Sequence, residues 1–233
     1  MFNFIGCRNY EKENKEALKY LNNKYGKEFE LNGNFKSIYA DEFYQSPVKD
    51  IEVWPKDNPE EIFKVEFYPE SGFKDNYQNI EMKPYVDRYL SNMVKEYWSE
   101  CKVFIYLRLG LVNEKFSNND CLKFLSEGKV DIRLSIYLKY DDTFNIDNEV
   151  NKIKSLCDYF KNSGFNGYIN IMYVSRDISD NEINYNLWNN LKKEGVSIKE
   201  YITKCGKYYY DEEEEITTET IEQELKNNTL EDN

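Results

Sequence analysis

From Val130 to Lys139 the chain alternates more cleanly than anywhere else: Val130, Ile132, Leu134, Ile136 and Leu138 are apolar, and Asp131, Arg133, Ser135 and Lys139 stand between them. A period of two puts the five apolar side chains on one face of an extended strand, so that face must be buried under another layer. Beyond this strand the chain alternates helix and strand. Residues 146–163 place Ile146, Val150, Ile153, Cys157 and Phe160 in one stripe at helical spacing and stop at Gly164, and 168–174 reads as a strand. Ser179-x-x-Glu182 is a capping box opening a helix with Ile183, Leu187 and Leu191 inward, and a last strand is expected near 196–203, ahead of Tyr208-Tyr209-Tyr210.

The N-terminal part has a different rhythm. Residues 13–25 predict a helix with Ala17, Leu18, Leu21 and Tyr25 on one face and Gly26 as its stop. Four short strands are expected next, at 28–32, 36–44, 50–54 and 62–68. In the last, Phe63, Val65 and Phe67 alternate with Lys64 and Glu66, the pattern of a half-buried antiparallel strand. Asn32-Gly33 supplies hairpin chemistry and Asp57-Asn58-Pro59 a turn. A second helix begins at Pro84 with Val86, Leu90, Met93 and Tyr97 on its apolar face and Trp98 beside it; a strand at 102–109 and a short helix over 118–127, stopped by Gly128, lead to the clean strand. The sum is an α+β fold: an N-terminal helix and antiparallel strand meander packed with a helix, then alternating helices and strands. Asn113–Asn119 breaks the pattern and suggests an order of tether (1–12), α+β unit (13–112), second unit (113–210) and acidic tail (211–233). Pairing of 102–109 with 130–139 in one sheet would instead erase that boundary.

Charge bears on partners only once it is located. Of 43 acids and 31 bases, ten acids and one base fall in 211–233, so that stretch carries −9 of the net −12 and the rest of the chain is near neutrality. A near-neutral body lacks the clustered basic surface that displaces counterions from phosphates, and nucleic acid is not expected as a partner. Like-charge runs are ordinarily solvated, so 211–233 is expected to be disordered or a frayed helix. The 21 tyrosines could form a sugar- or peptide-binding face, since each offers an apolar ring with a wet hydroxyl, but no compact aromatic motif stands out, and a compositional drift toward Lys, Asn, Ile, Tyr and Glu is the better account.

The chain contains no histidine, which removes Ser-His-Asp and Cys-His nucleophile activation, imidazole acid–base catalysis and histidine zinc sites. Neither a G-x-x-x-x-G-K-[ST] nor a G-x-G-x-x-G motif is present. The five cysteines, Cys7, Cys101, Cys121, Cys157 and Cys205, form no C-x-x-C pair, and Cys121 and Cys157 lie on expected helices as small buried thiols. Asp141 and Asp142, after the clean strand, are the one place where paired carboxylates suggest acid–base work; Asp-Asp before a helix is more often turn and cap chemistry. Asp141-Asp142-x-x-Asn145-x-Asp147 lacks the glycine and final glutamate of an EF-hand loop. No catalytic residue, cofactor or metal is assigned.

Phe4-Ile5-Gly6-Cys7, ahead of the polar run Arg8 to Glu13, resembles the lipobox of bacterial lipoproteins, and the resemblance implies Cys7 as the lipid-attachment residue. Only Met1 to Ile5 precede Gly6, too few for a complete export signal, so the expectation is an extracytoplasmic, membrane-anchored protein if translation starts upstream of Met1 and a cytoplasmic one otherwise. A second likeness covers residues 15–110. Tyr20-Leu21-x-x-Lys24-Tyr25-Gly26-x-x-Phe29, a strand meander, Asp75-Asn76-Tyr77 and a helix around Tyr85 to Trp98 resemble small uncharacterised lipoproteins and secreted proteins of Gram-positive, clostridia-like bacteria. That group brings no known activity. The function expected is therefore a non-catalytic, envelope-associated binding protein for an unknown protein or cell-surface ligand, touching the membrane only through its anchor. The alternatives are a cytoplasmic immunity or inhibitor protein that neutralises a basic partner, and a carboxylate-dependent enzyme.

Overall fold

The structure, a computed structural model, describes residues 10–38, 47–112, 114–128, 130–174, 202–209 and 216–227. It is an α+β fold whose contacts divide into two compact units, 1–81 with 110–117 and 82–109 with 118–233. These limits differ from the sequential boundary at 112/113, because strand 102–109 pairs along its whole length with 130–139 while Val112 bridges back to Asp75. Of the sequence expectations, the tether 1–12 with Cys7, apart from Tyr10 to Lys12, and the capping-box helix after Ser179 lie outside the described residues.

In the first unit, α1 (Tyr10–Tyr25) lays Ala17, Leu21 and Tyr25 at four-residue spacing into the core. It ends where Gly26 takes φ +68°, a left-handed conformation that costs glycine little, and its N–H reaches the Asn22 carbonyl at 2.7 Å. The sheet comprises β1 (Phe29–Leu31), β2 (Lys36–Ser37), β3 (Lys49–Pro55), β4 (Phe63–Tyr68) and β5 (Gly72–Asp75). β3, β4 and β5 form an antiparallel meander. Asn32-Gly33 does turn, but β1 and β2 do not form a hairpin with each other: both pair with β3, β1 against Val53–Pro55 and β2 against Lys49 and Asp50. Phe63 and Val65 of β4, with Ile51 and Val53 of β3, face the same core as α1. There Tyr25, Phe29, Phe63 and Tyr77 pack with ring centroids 4.8–6.0 Å apart, mostly edge to face. The short helix α2 (Gln78–Glu81) comes next.

One buried carboxylate closes this unit. Asp75 is fully buried and accepts four hydrogen bonds: on Oδ1 from the Tyr25 hydroxyl (2.6 Å) and the Tyr77 backbone N–H (3.0 Å), on Oδ2 from the Tyr20 hydroxyl (2.7 Å) and the Lys24 ammonium (2.8 Å). Lys24 also donates to the Val112 carbonyl at 2.8 Å, and Val112 exchanges backbone hydrogen bonds with Asp75. Burial pulls the Lys24 ammonium below its ordinary value, with Asp75 opposing the fall. Burial also pushes the Tyr20 and Tyr25 hydroxyls well above theirs, reinforced by the Asp75 charge. Tyr20, Lys24 and Tyr25 of α1 thus meet Asp75 and Tyr77 in one satisfied network.

The second unit holds α3 (Lys83–Tyr97), β6 (Lys102–Leu109), α4 (Cys121–Glu127), β7 (Val130–Lys139), α5 (Ile146–Asn162), β8 (Asn166–Val174), β9 (Ile202–Tyr209) and α6 (Thr218–Asn227). Its sheet runs β6-β7-β8-β9, with β7 and β8 parallel and the outer pairs antiparallel. The parallel pair needs a crossover, which α5 provides. The alternation of β7 is also its burial pattern: Val130, Ile132, Leu134, Ile136 and Leu138 are all buried. Gly167, at φ +131°, lets β8 approach β7 closely, since a Cβ there would lie 1.9 Å from the Ile132 carbonyl oxygen. Of the strand expected at 196–203 only 202–203 lie within the described residues, and β9 continues past 203 to take in Tyr208 and Tyr209. Part of the acidic stretch also departs from the expectation of a frayed tail: α6 buries Ile221 and Leu225 completely, and packs on α5 and β9. An i, i+4 apolar pair is enough to anchor a helix whose other faces are acidic.

Candidate functional site

Where parallel strands end and a crossover helix begins, side chains from several elements converge, and such edges are the usual place for ligands in α/β arrangements. In the second unit a cleft of about 460 Å³ lies at this edge, between the last residues of β7, the β7–α5 loop, the first turns of α5, β8 and the end of α3. Trp98 and Tyr173 form aromatic wall, with Phe144 edge-on to Tyr173 at 5.0 Å. Glu100, Asp141, Glu149, Lys139 and Lys152 supply charge.

Glu149 organises the cleft. It is only 7% exposed, and on α5 it occupies the first position of the buried stripe that continues through Ile153, Leu156 and Phe160. Its Oε2 accepts from the Trp98 indole N–H at 2.6 Å and from the Tyr173 hydroxyl at 2.9 Å; Oε1 accepts from the Lys152 ammonium at 2.9 Å. The Lys152 ammonium also stands 5.8 Å from the centre of the Trp98 ring. Burial, and then the Glu149 charge and hydrogen bond, push the Tyr173 hydroxyl far above its ordinary value, so it acts here as a donor. Acidic residues in the first turn of α5, Asp147 and Glu149, complement the positive end of the helix dipole, and the Asn145 side chain caps it by accepting from the Asn148 N–H at 3.0 Å.

The two carboxylates that stand out in the sequence divide. Asp141 lines the cleft but spends Oδ1 on the Thr143 backbone N–H (2.8 Å) and hydroxyl, the turn chemistry expected of it. Asp142 is exposed and does not line the cleft. No sequence motif marks Glu149, Trp98 and Tyr173 as a site; the readable signal is a glutamate occupying a position of an otherwise apolar helical stripe. Among the other nucleophile candidates, burial pushes the Cys121 thiol up to about 11 and the Cys157 thiol up to about 12, and raises Cys101 and Cys205 as well. Thiols shifted this way are poor nucleophiles at neutral pH. Among the described residues, no group of three or more His, Cys, Asp or Glu side chains is placed to hold a metal ion. No helix among them is long and apolar enough to cross a membrane.

Fold and cleft together define an α+β protein of two compact units, the second carrying an aromatic-walled cleft around a buried glutamate. No family model matches the chain, and no curated protein does. Among solved structures it is similar to a DUF5037 family protein from the clostridia-like bacterium Ruminococcus gnavus ATCC 29149, with 10% identity and a TM-score of 0.40 over 92% of this chain and 99% of that one. A likeness at that level carries no functional residue across.

Proposed function

We propose that this chain is a non-catalytic binding protein that holds a small polar ligand, or a projecting side chain of a partner or cell-surface molecule, in the cleft around Glu149. The observation carrying this reading is that the buried carboxylate has aromatic walls and open space beside it, while its oxygens are committed to Trp98, Tyr173 and Lys152. Such an arrangement orients and recognises. A general acid or base needs a group free to exchange a proton with substrate near neutral pH; among the described residues the four thiols and the cleft hydroxyl of Tyr173 are shifted away from that range. A cleft of this size lies inside the range of small-molecule sites.

Envelope association through a lipid on Cys7 belongs to the same reading and rests on the Phe4-Ile5-Gly6-Cys7 sequence alone. Mass spectrometry of the Cys7 peptide from membranes of the native host tests it: an acylated thioether supports the anchor, and an unmodified thiol removes it. Binding without turnover is tested by incubating any compound that perturbs the Trp98 indole resonance with the full chain. Unchanged recovery of the compound is expected; a product that disappears in Glu149→Gln would establish an enzyme instead.

A further inference from the structure

Resting on that reading, we infer that the cleft selects a primary organic ammonium, and that Lys152 occupies the ammonium position when no ligand is bound. Three observations converge. Glu149 places a nearly buried carboxylate at the site, and the two donors that share its Oε2 leave Oε1 directed to the cation. Trp98 offers its ring within the distance at which an ammonium is attracted by a π face. The Lys152 ammonium already satisfies both, at 2.9 Å from Oε1 and 5.8 Å from the ring centre, which marks out the geometry a ligand's ammonium would adopt.

Lys152 is suited to yield. It lies three residues after Glu149 on the same helix and is 28% exposed, so its flexible stem can swing the ammonium into water without moving the backbone. The exchange replaces one cation by another, so the carboxylate is never left unpaired, which is the state that costs most. Other charges around the cleft temper but do not invert this preference. Glu100 and Asp141 add to the negative side and Lys139 opposes them, while Lys204, from β9 behind Phe144, donates to the Leu225 carbonyl at 3.0 Å. An anionic ligand would have to meet Glu149 and Asp141 in the same cleft.

The intramolecular competitor gives the inference a signature that a merely structural Lys152 would lack. The experiment tracks the 15N–1H indole resonance of Trp98 in the full chain, assigned by Trp98→Phe, during titration with n-butylammonium, and separately with acetate and glucose. A saturable shift with n-butylammonium is expected in the wild type. Lys152→Met should tighten it about two- to fivefold, the occupancy of one partly exposed ion pair, and Glu149→Gln should abolish it. Weaker or unchanged affinity in Lys152→Met overturns the inference, and that variant serves the test even if Glu149→Gln fails to fold. A shift with acetate or glucose but none with n-butylammonium overturns the ammonium assignment and leaves the cleft a binding site. No shift with any of the three overturns the ammonium assignment and counts against the binding reading too.

Discussion

Replacing Asp75 by Asn is the sharpest test of how the first unit is held together. The two side chains have the same shape, so packing is preserved and the loss is electrostatic. Asp75 is fully buried and the Lys24 side chain is 6% exposed. The Asn variant therefore leaves an ammonium in the interior without its counter-charge, and turns an NH2 group toward two donors that now meet only acceptors, either Tyr25 and the Tyr77 N–H or Tyr20 and Lys24. Breaking one side of a buried ion pair costs about 3–5 kcal/mol. Against a typical domain stability of about 5–15 kcal/mol, that is a large fraction. Urea unfolding monitored at Trp54, which lies on β3 of the same unit, measures it directly. Lys24→Met removes the stranded cation, so the double variant should be less destabilised than the two single losses added, with a coupling of about 2 kcal/mol or more. A loss below about 1 kcal/mol in Asp75→Asn, or additive single and double variants, would refute the reasoning and make the network an ornament on an apolar core.

The second unit supplies two more tests. Leu225→Ala, in α6, should cost about 2–5 kcal/mol in denaturant unfolding because it hollows a fully buried position, whereas the same change in a solvated acidic tail would stay within about 0.5 kcal/mol. Stability should also fall on the alkaline side through Cys157, whose thiol burial pushes up to about 12 from an ordinary 9.0. The folded state then holds its proton where the unfolded state loses it, so this contribution is complete below pH 9.0 and declines as pH rises toward 12. Between about pH 8 and 10.5 the wild type should lose about 2 kcal/mol more than Cys157→Ala; parallel profiles for the two proteins would contradict the assignment.

Local pattern tells most of the second unit and little of its closure. The β7 alternation and the α5 stripe read directly, because each is a long amphipathic segment whose buried face is set by its own period. β5 leaves no mark in the sequence: Gly72-Phe73-Lys74-Asp75 is too short to show a period and exists as a strand because β4 pairs with it from Val65 to Tyr68. The sequence pattern ends β9 too soon, at 203, since Gly206, Lys204 and Lys207 dilute its alternation and its register is decided by β8, where Tyr168 stands opposite Tyr209. Acidity hides α6, because charge dominates a composition average while two leucine-sized contacts decide whether a helix docks.

The buried carboxylates show why function is harder to read than fold. Asp75 and Glu149 are both ordinary acids in the sequence, and both end up buried against aromatic donors with a lysine at hydrogen-bond distance. Only their surroundings separate them. Asp75 is sealed by four donors and a returning segment, so every polar atom is used within the protein. Glu149 has one oxygen held by Trp98 and Tyr173 and the other by the partly exposed Lys152, beside open space. Tyr20, Lys24 and Tyr25 therefore serve to lock a core around Asp75. The ligand proposed for the other carboxylate would have to take the place of Lys152 on Oε1.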